Sequence, residues 1–198
     1  MRYHRDEHDI LGAVQWTWLE QQLRASDAQL HVIVSGIQVL PYDKILIEKW
    51  AQYPAARQRL LRLLRDTCAS GVVLLSGDVH YAELSQIDLC APECASNYSA
   101  CHASFPLVEA TSSGLTHSVG NQAFGLGSWI LNTFFRSSYQ ITGPKGGFSP
   151  DLNFGVLEID WDAQPRTVSV QIRDRTGYVQ LEHIVQFPPQ TRYDERHR

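Results

Sequence analysis

Long hydrophobic runs are missing from this 198-residue chain. The longest, such as Val72 to Leu75, fall far short of the roughly 20 residues that a membrane-spanning helix needs, so no membrane span is expected. An excess of one charge is missing too. With 17 Lys and Arg against 21 Asp and Glu, the formal net charge is -4, which creates no global field to draw the chain onto nucleic acid or an anionic bilayer. The first residues, Met1-Arg2-Tyr3-His4-Arg5-Asp6-Glu7-His8-Asp9, lack the apolar stretch of a secretory signal. Cysteine is sparse, with Cys68 in a helical stretch and Cys90, Cys94 and Cys101 together in one loop. Those three have no C-x-x-C spacing, which disfavours a zinc module that would also draw on His102, and leaves a disulfide or an incidental insertion.

What is present suits one globular core, since 43% of residues are hydrophobic and 19% charged. Leu11, Val14, Trp18, Leu19 and Leu23 recur at helical spacing and predict an amphipathic helix over about 11–25. The β-branched run from His31 to Ile37 predicts a buried strand. Pro54 opens a second helix carrying Leu60, Leu61 and Leu64 and closed by Gly71, and its interleaved arginines read as a solvated face. Val72 to Leu75 predicts another buried strand. Helix, strand, helix, strand is an α/β layer pattern. Beyond residue 84, the alternation in Glu83 to Leu89 and in Leu107 to Thr111 predicts strands at the sheet margin. Residues 112–154 read as a long irregular region, of the kind that tends to be functional. Three strands close the fold, at Gly155 to Trp161, Thr167 to Arg173 and Tyr178 to Phe187, with Asp174 to Gly177 as a turn. The tail from Pro188 is expected to fray.

The chemistry concentrates where the strand 72–75 stops, at Ser76-Gly77-Asp78-Val79-His80. A strand ending in Asp-x-His delivers a carboxylate and an imidazole to the carboxyl edge of a sheet, where open α/β sheets bind ligands. Two residues apart on extended backbone, Asp78 and His80 would face the same way and could share or divide metal ions, with Glu83 orienting His80. The alternative is that Asp78 caps a short helix and His80 is a hydrogen-bonded structural histidine. His117, in a Ser/Thr-rich stretch, could likewise serve a phosphate group or be structural. The charge run Asp6 to Asp9 reads as solvated.

The segment Ser76-Gly77-Asp78-Val79-His80-Tyr81-Ala82-Glu83-Leu84 resembles the alkaline phosphatase D (PhoD-like) family, in the metallophosphoesterase (calcineurin-like) superfamily. Four further stretches follow in the family's order: Ile10 to Glu20, Glu48-Lys49-Trp50, Thr111 to Ser118, and Asn153-Phe154-Gly155. The resemblance covers about residues 2–185. It implies the C-terminal half of an αββα sandwich, with a mixed sheet, flanking helices and a C-terminal β-meander over residues 1–187, ahead of the tail 188–198. It also implies hydrolysis of phosphomonoesters or phosphodiesters at a dinuclear metal centre of iron with calcium, or of manganese or zinc. His80 would hold one metal and Asp78 the other. Arg2, Arg5 and His117 would neighbour the phosphate, and Gln38 would contribute only an amide contact. The family's first half, with its other metal ligands, has no counterpart here, so the centre is incomplete and a missing N-terminal half is the expected partner. A secreted or extracytoplasmic location is suggested by the same resemblance together with the cysteine loop, where two of Cys90, Cys94 and Cys101 are expected to pair if the protein matures in an oxidising compartment.

Overall fold

A computed structural model describes residues 9–44, 47–67, 71–89, 106–122 and 136–187. The expectations for Arg2, Arg5, Cys68, Cys90, Cys94, Cys101 and the tail 188–198 fall outside these residues. Helix α1 runs Gly12–Ala25, strand β1 His31–Val34, helix α2 Pro54–Asp66, β2 Val72–Ser76, β3 Ala82–Asp88 and β4 Pro106–Ser112. A single 3-10 turn, Trp50–Gln52, precedes α2. The one-turn helix α3 at Val119–Gln122 is followed by β5 Phe148–Ser149, β6 Asn153–Asp160, β7 Arg166–Asp174 and β8 Val179–Phe187. The first sheet is mixed, in the order β1-β2-β4-β3-β5, with β1, β2 and β4 parallel and β3 and β5 antiparallel to their neighbours. The second is an antiparallel meander, β6-β7-β8.

Strand alternation sorts the side chains into two cores. Val72 and Leu74 of β2 and Leu107 of β4 face α1 and α2, joining Trp16, Leu23, Trp50, Leu60 and Leu64. Val73, Leu84, Val108 and Ala110 face the meander, joining Val168, Val170, Ile172, Leu181 and Val185. Helices on a mixed sheet on an antiparallel sheet is the mixed α/β layering that the sequence predicts.

Three expectations change. First, α1 buries Trp16 rather than Trp18, and Val14 and Trp18 are exposed. Trp16 is drawn inward because its indole N–H donates to Asp9 (2.6 Å) and its ring meets Trp50 edge-on, with centroids 6.2 Å apart. Second, the strand expected over 31–37 stops at Val34, and Val32 and Val34 are exposed. β1 is the outermost strand, while β6 lies against β4 and β8 against β3 and β5. The meander therefore does not reach over β1. Third, Leu107 to Thr111 is no margin: β4 is central, bonded to β2 on one side and β3 on the other, and its middle five residues are buried.

A buried carboxylate makes this central position tolerable. Glu109 of β4 is fully buried on the helix-facing side. Its two oxygens accept from the backbone N–H groups of Val39 (2.8 Å) and Leu40 (2.6 Å), while the Arg57 guanidinium of α2 donates to the carbonyls of the same two residues, 2.8 Å each. The loop after β1 is thus held at its donors by the sheet and at its acceptors by a helix. Burial still raises the Glu109 pKa above the ordinary 4.5, against the pull of the bonds from Ser76, Leu40 and Val39.

A carboxyl group whose folded pKa is raised favours the folded state fully below the unfolded value, and that contribution is lost as pH rises from 4.5 through the folded value. The stability difference between wild type and Glu109→Gln should therefore shift in favour of the variant as pH rises from about 4.5 to 7.5. Urea unfolding over that series measures it. A constant difference, or one moving the other way, would contradict the account of Glu109.

Candidate functional site

β2 and β3 are not neighbours, because β4 is inserted between them, and Thr111 of β4 pairs with Ser76 on one side and Glu83 on the other. The link from Gly77 to Tyr81 must therefore cross two strand spacings, about 10 Å, and reverse direction. It does so as an arch over the carboxyl end of β4. The arch is not extended: Asp78 (φ 74°) and His80 (φ 57°) are both left-handed, a region that L-residues other than Asn, Asp and His seldom enter. The expectation that these two side chains share a face through extended backbone is replaced by this turn. Neither side chain is held in the core, and both residues are exposed.

The arch is pinned to the strand below it. The His80 N–H donates to Ser113 Oγ (3.2 Å), the Ser113 N–H to the Tyr81 carbonyl (3.2 Å), and the Val119 N–H to the His80 carbonyl (2.8 Å). The last bond ties the arch to the loop carrying His117, whose ring centroid lies 6.2 Å from that of His80 with the planes inclined by 31°. His117 is exposed, and its Nδ1 is 2.9 Å from Thr116 Oγ1. Gly114 allows this loop to close, since a Cβ there would collide with the Asn153 side chain and the Asp151 carbonyl. The structure thus brings His80 and His117 together at the carboxyl end of β2 and β4, with Asp78 on the same arch.

Glu83 and Gln38 lie elsewhere, in a buried polar cluster beneath the arch. Glu83 is fully buried and does not orient His80; one oxygen accepts from Lys44 Nζ and from Gln38 Nε2 (3.1 Å), and the other has no hydrogen-bond partner. Strand alternation explains this, since Glu83 points from β3 toward the helix-facing side, where Gln38 and Lys44 cover it. Gln38 is equally buried, donating also to Thr111 Oγ1 (2.9 Å) and accepting from the Tyr81 hydroxyl (3.2 Å). Lys44 completes the group, donating to the Tyr81 oxygen at 2.6 Å and lying 4.5 Å from the centre of its ring. Burial pulls the Lys44 pKa down and pushes that of Glu83 up, each opposed by the other's charge. Sequence reasoning missed Lys44, Tyr81 and Glu109. The Asp-x-His-Tyr-x-Glu spacing contains only Tyr81 of the three, and nothing local marks Lys44 or Glu109.

Carboxylate and imidazole donors suit a hard or borderline cation. Among the described residues, however, no group of three or more His, Cys, Asp or Glu side chains could hold one. Asp78 and His80 can supply part of a coordination sphere and do not complete it.

Left-handed backbone generates a stability prediction. Glycine enters this region without the steric cost that a Cβ incurs. His80→Gly should therefore be more stable than His80→Ala by about 1 kcal/mol, with Asp78→Gly exceeding Asp78→Ala in the same sense. Thermal or urea unfolding of the four variants checks this, and Ala variants equal to or more stable than the Gly variants would contradict the geometry of the arch.

The model of the PhoD-like phosphatase family matches residues 2–167. Among solved structures, one titled "Structure of PhoD" matches at 17% identity with a TM-score of 0.47, over 94% of this chain. The chain spans 37% of the length of that protein. No curated protein sequence matches. With a family model matched along most of its length, the chain belongs to the PhoD-like phosphatase family.

Proposed function

We propose that this chain takes part in metal-dependent hydrolysis of phosphate esters, mono- or diesters, with Asp78 and His80 as metal-binding residues and His117 as a contact for the substrate phosphate. The observation that carries this reading is the arch. In a chain of a phosphatase family, it holds a carboxylate and an imidazole exposed at the carboxyl edge of the parallel strands, with a second imidazole 6.2 Å from the first. When bound, a two-metal centre supplies the positive charge that holds a phosphate and lowers the pKa of an attacking water. The residues of the chain have narrower tasks. Asp78 and His80 hold and orient, and the rigidity of the arch keeps them in place. His117, with Nδ1 engaged by Thr116, can donate from Nε2 to a phosphate oxygen. Arg2 and Arg5 are assigned to the phosphate by resemblance alone.

A centre of this kind needs more donors than Asp78 and His80. We assign the remainder to a complementary half of the protein, and accordingly expect weak metal binding and little turnover from the 198-residue chain by itself. A second reading is that the chain binds or supports a partner without catalysis, and the absence of a three-donor group among the described residues favours it. An extracytoplasmic location with an oxidised Cys90-Cys94-Cys101 loop belongs to the first reading.

The two readings separate in a p-nitrophenol-release assay with p-nitrophenyl phosphate and its diester, in the presence of manganese, zinc, or iron with calcium. Joined to the first half of a PhoD-like phosphatase, the chain should hydrolyse these substrates. His80→Ala in the joined protein should lower kcat by at least about 100-fold, as expected when a group that stabilises transition-state charge is removed. Turnover unaffected by His80→Ala would remove the metal assignment, and an inert joined protein that still folds would favour the non-catalytic reading.

A further inference from the structure

The buried ion pair of Lys44 and Glu83 has no evident role in stability. Burying two charges carries a large desolvation penalty before their attraction is counted, and apolar residues of similar volume often serve as well. Here the pair is also incompletely satisfied, since one Glu83 oxygen has no partner. A cluster kept on such terms is expected to specify a geometry, and its contacts indicate which one. Every member converges on Tyr81, the residue directly after His80. Lys44 donates to the Tyr81 oxygen (2.6 Å) and lies against its ring; Gln38 accepts from its hydroxyl (3.2 Å); Glu83 holds both Lys44 and Gln38. Phe148 of β5 also packs on the ring, with centroids 5.0 Å apart.

The arch needs this support. Two left-handed, non-glycine residues separated by a single residue persist only where the surroundings over-determine them. Ser113 and Val119 hold the His80–Tyr81 backbone, through bonds to the His80 N–H, the His80 carbonyl and the Tyr81 carbonyl. The fully buried Tyr81 side chain is the other anchor of this segment. We propose that Lys44, Glu83 and Gln38 are positioning residues, which lock the Tyr81 side chain and through it fix the direction in which His80 leaves the arch. This rests on the reading of Asp78 and His80 as metal-binding residues. It goes beyond that reading by assigning Gln38 and Lys44, on the loop after β1, a part in the positioning of His80.

The test uses the 198-residue chain itself, with the His80 ring observed by NMR and Mn2+ as the probe. Tyr81→Phe removes the hydroxyl, and the double variant Lys44→Met with Glu83→Gln removes the pair while leaving net charge unchanged. In both, the methyl resonances of Leu84 and Val108 should stay dispersed, showing an intact sheet. The His80 ring resonance should broaden or move toward that of a free histidine. The Mn2+ concentration that half-broadens it should rise by about fivefold, the size of one lost hydrogen bond. Leu64→Ala, in the core on the helix side and outside the cluster, controls for general destabilisation and should leave the His80 signal where it is. The proposal is overturned if His80 in the two cluster variants matches wild type, or if Leu64→Ala disturbs it as much as they do. Should one cluster variant fail to fold, the other decides. If Mn2+ leaves wild-type His80 unbroadened, the metal assignment fails, while the ring signal without metal still tests the clamp.

Discussion

The carboxylate of Glu109 is the constraint on which the functional edge of this protein depends. A charged side chain at the centre of a sheet is tolerated only if its lone pairs are filled, and here two backbone N–H groups of the loop after β1 fill them. That contact brings residues 38–44 of the loop over the carboxyl end of β4 and β3. From there Gln38 and Lys44 reach Glu83 and Tyr81, and Tyr81 carries the arch. The apolar cores position the layers, and the buried polar side chains position the residues that can do chemistry.

The helix-facing side of the first sheet shows the change of character directly. At one end it presents Val72, Leu74 and Leu107, all part of the core against the helices. Toward the carboxyl end of β2 and β4 it presents Ser76, Glu109, Thr111 and Glu83, all buried. Ser76 and Thr111 bond to each other at 2.8 Å, so the polar patch is continuous across β2, β4 and β3. Low-dielectric surroundings strengthen each of these bonds and also make each vacancy costly. A rigid patch of this kind beneath an exposed turn is a sound base for a site that must hold its donors still.

Insertion of β4 between β2 and β3 is the topological fact behind the arch. Had β2 and β3 paired directly, a two-residue hairpin turn would join them, with no reason for Asp78 and His80 to stand above the sheet. The longer crossing places them there and forces left-handed backbone at both. The same crossing brings them over Ser113, so the loop leading to His117 becomes their nearest neighbour.

Several elements were legible in the sequence because their causes are local. Pro54 and the leucine spacing mark α2, the apolar run marks β2, and Asp174 to Gly177 marks the turn before β8. The order of short motifs marked the family, and the stop at Ser76 marked where the exposed donors stand. Pairing partners depend on contacts distant in the chain, and no local pattern encodes them. Alternation in Leu107 to Thr111 is the same for a half-exposed strand as for a central one whose carboxylate is capped by a distant loop. Glu83 reads equally well as a neighbour of His80 or as the partner of a lysine 39 positions earlier. Residue types and their spacing determined which groups this protein has to work with. Only tertiary structure decided which of them lie buried as support and which stand exposed as donors, because burial and pairing belong to the folded arrangement and not to any stretch of the chain.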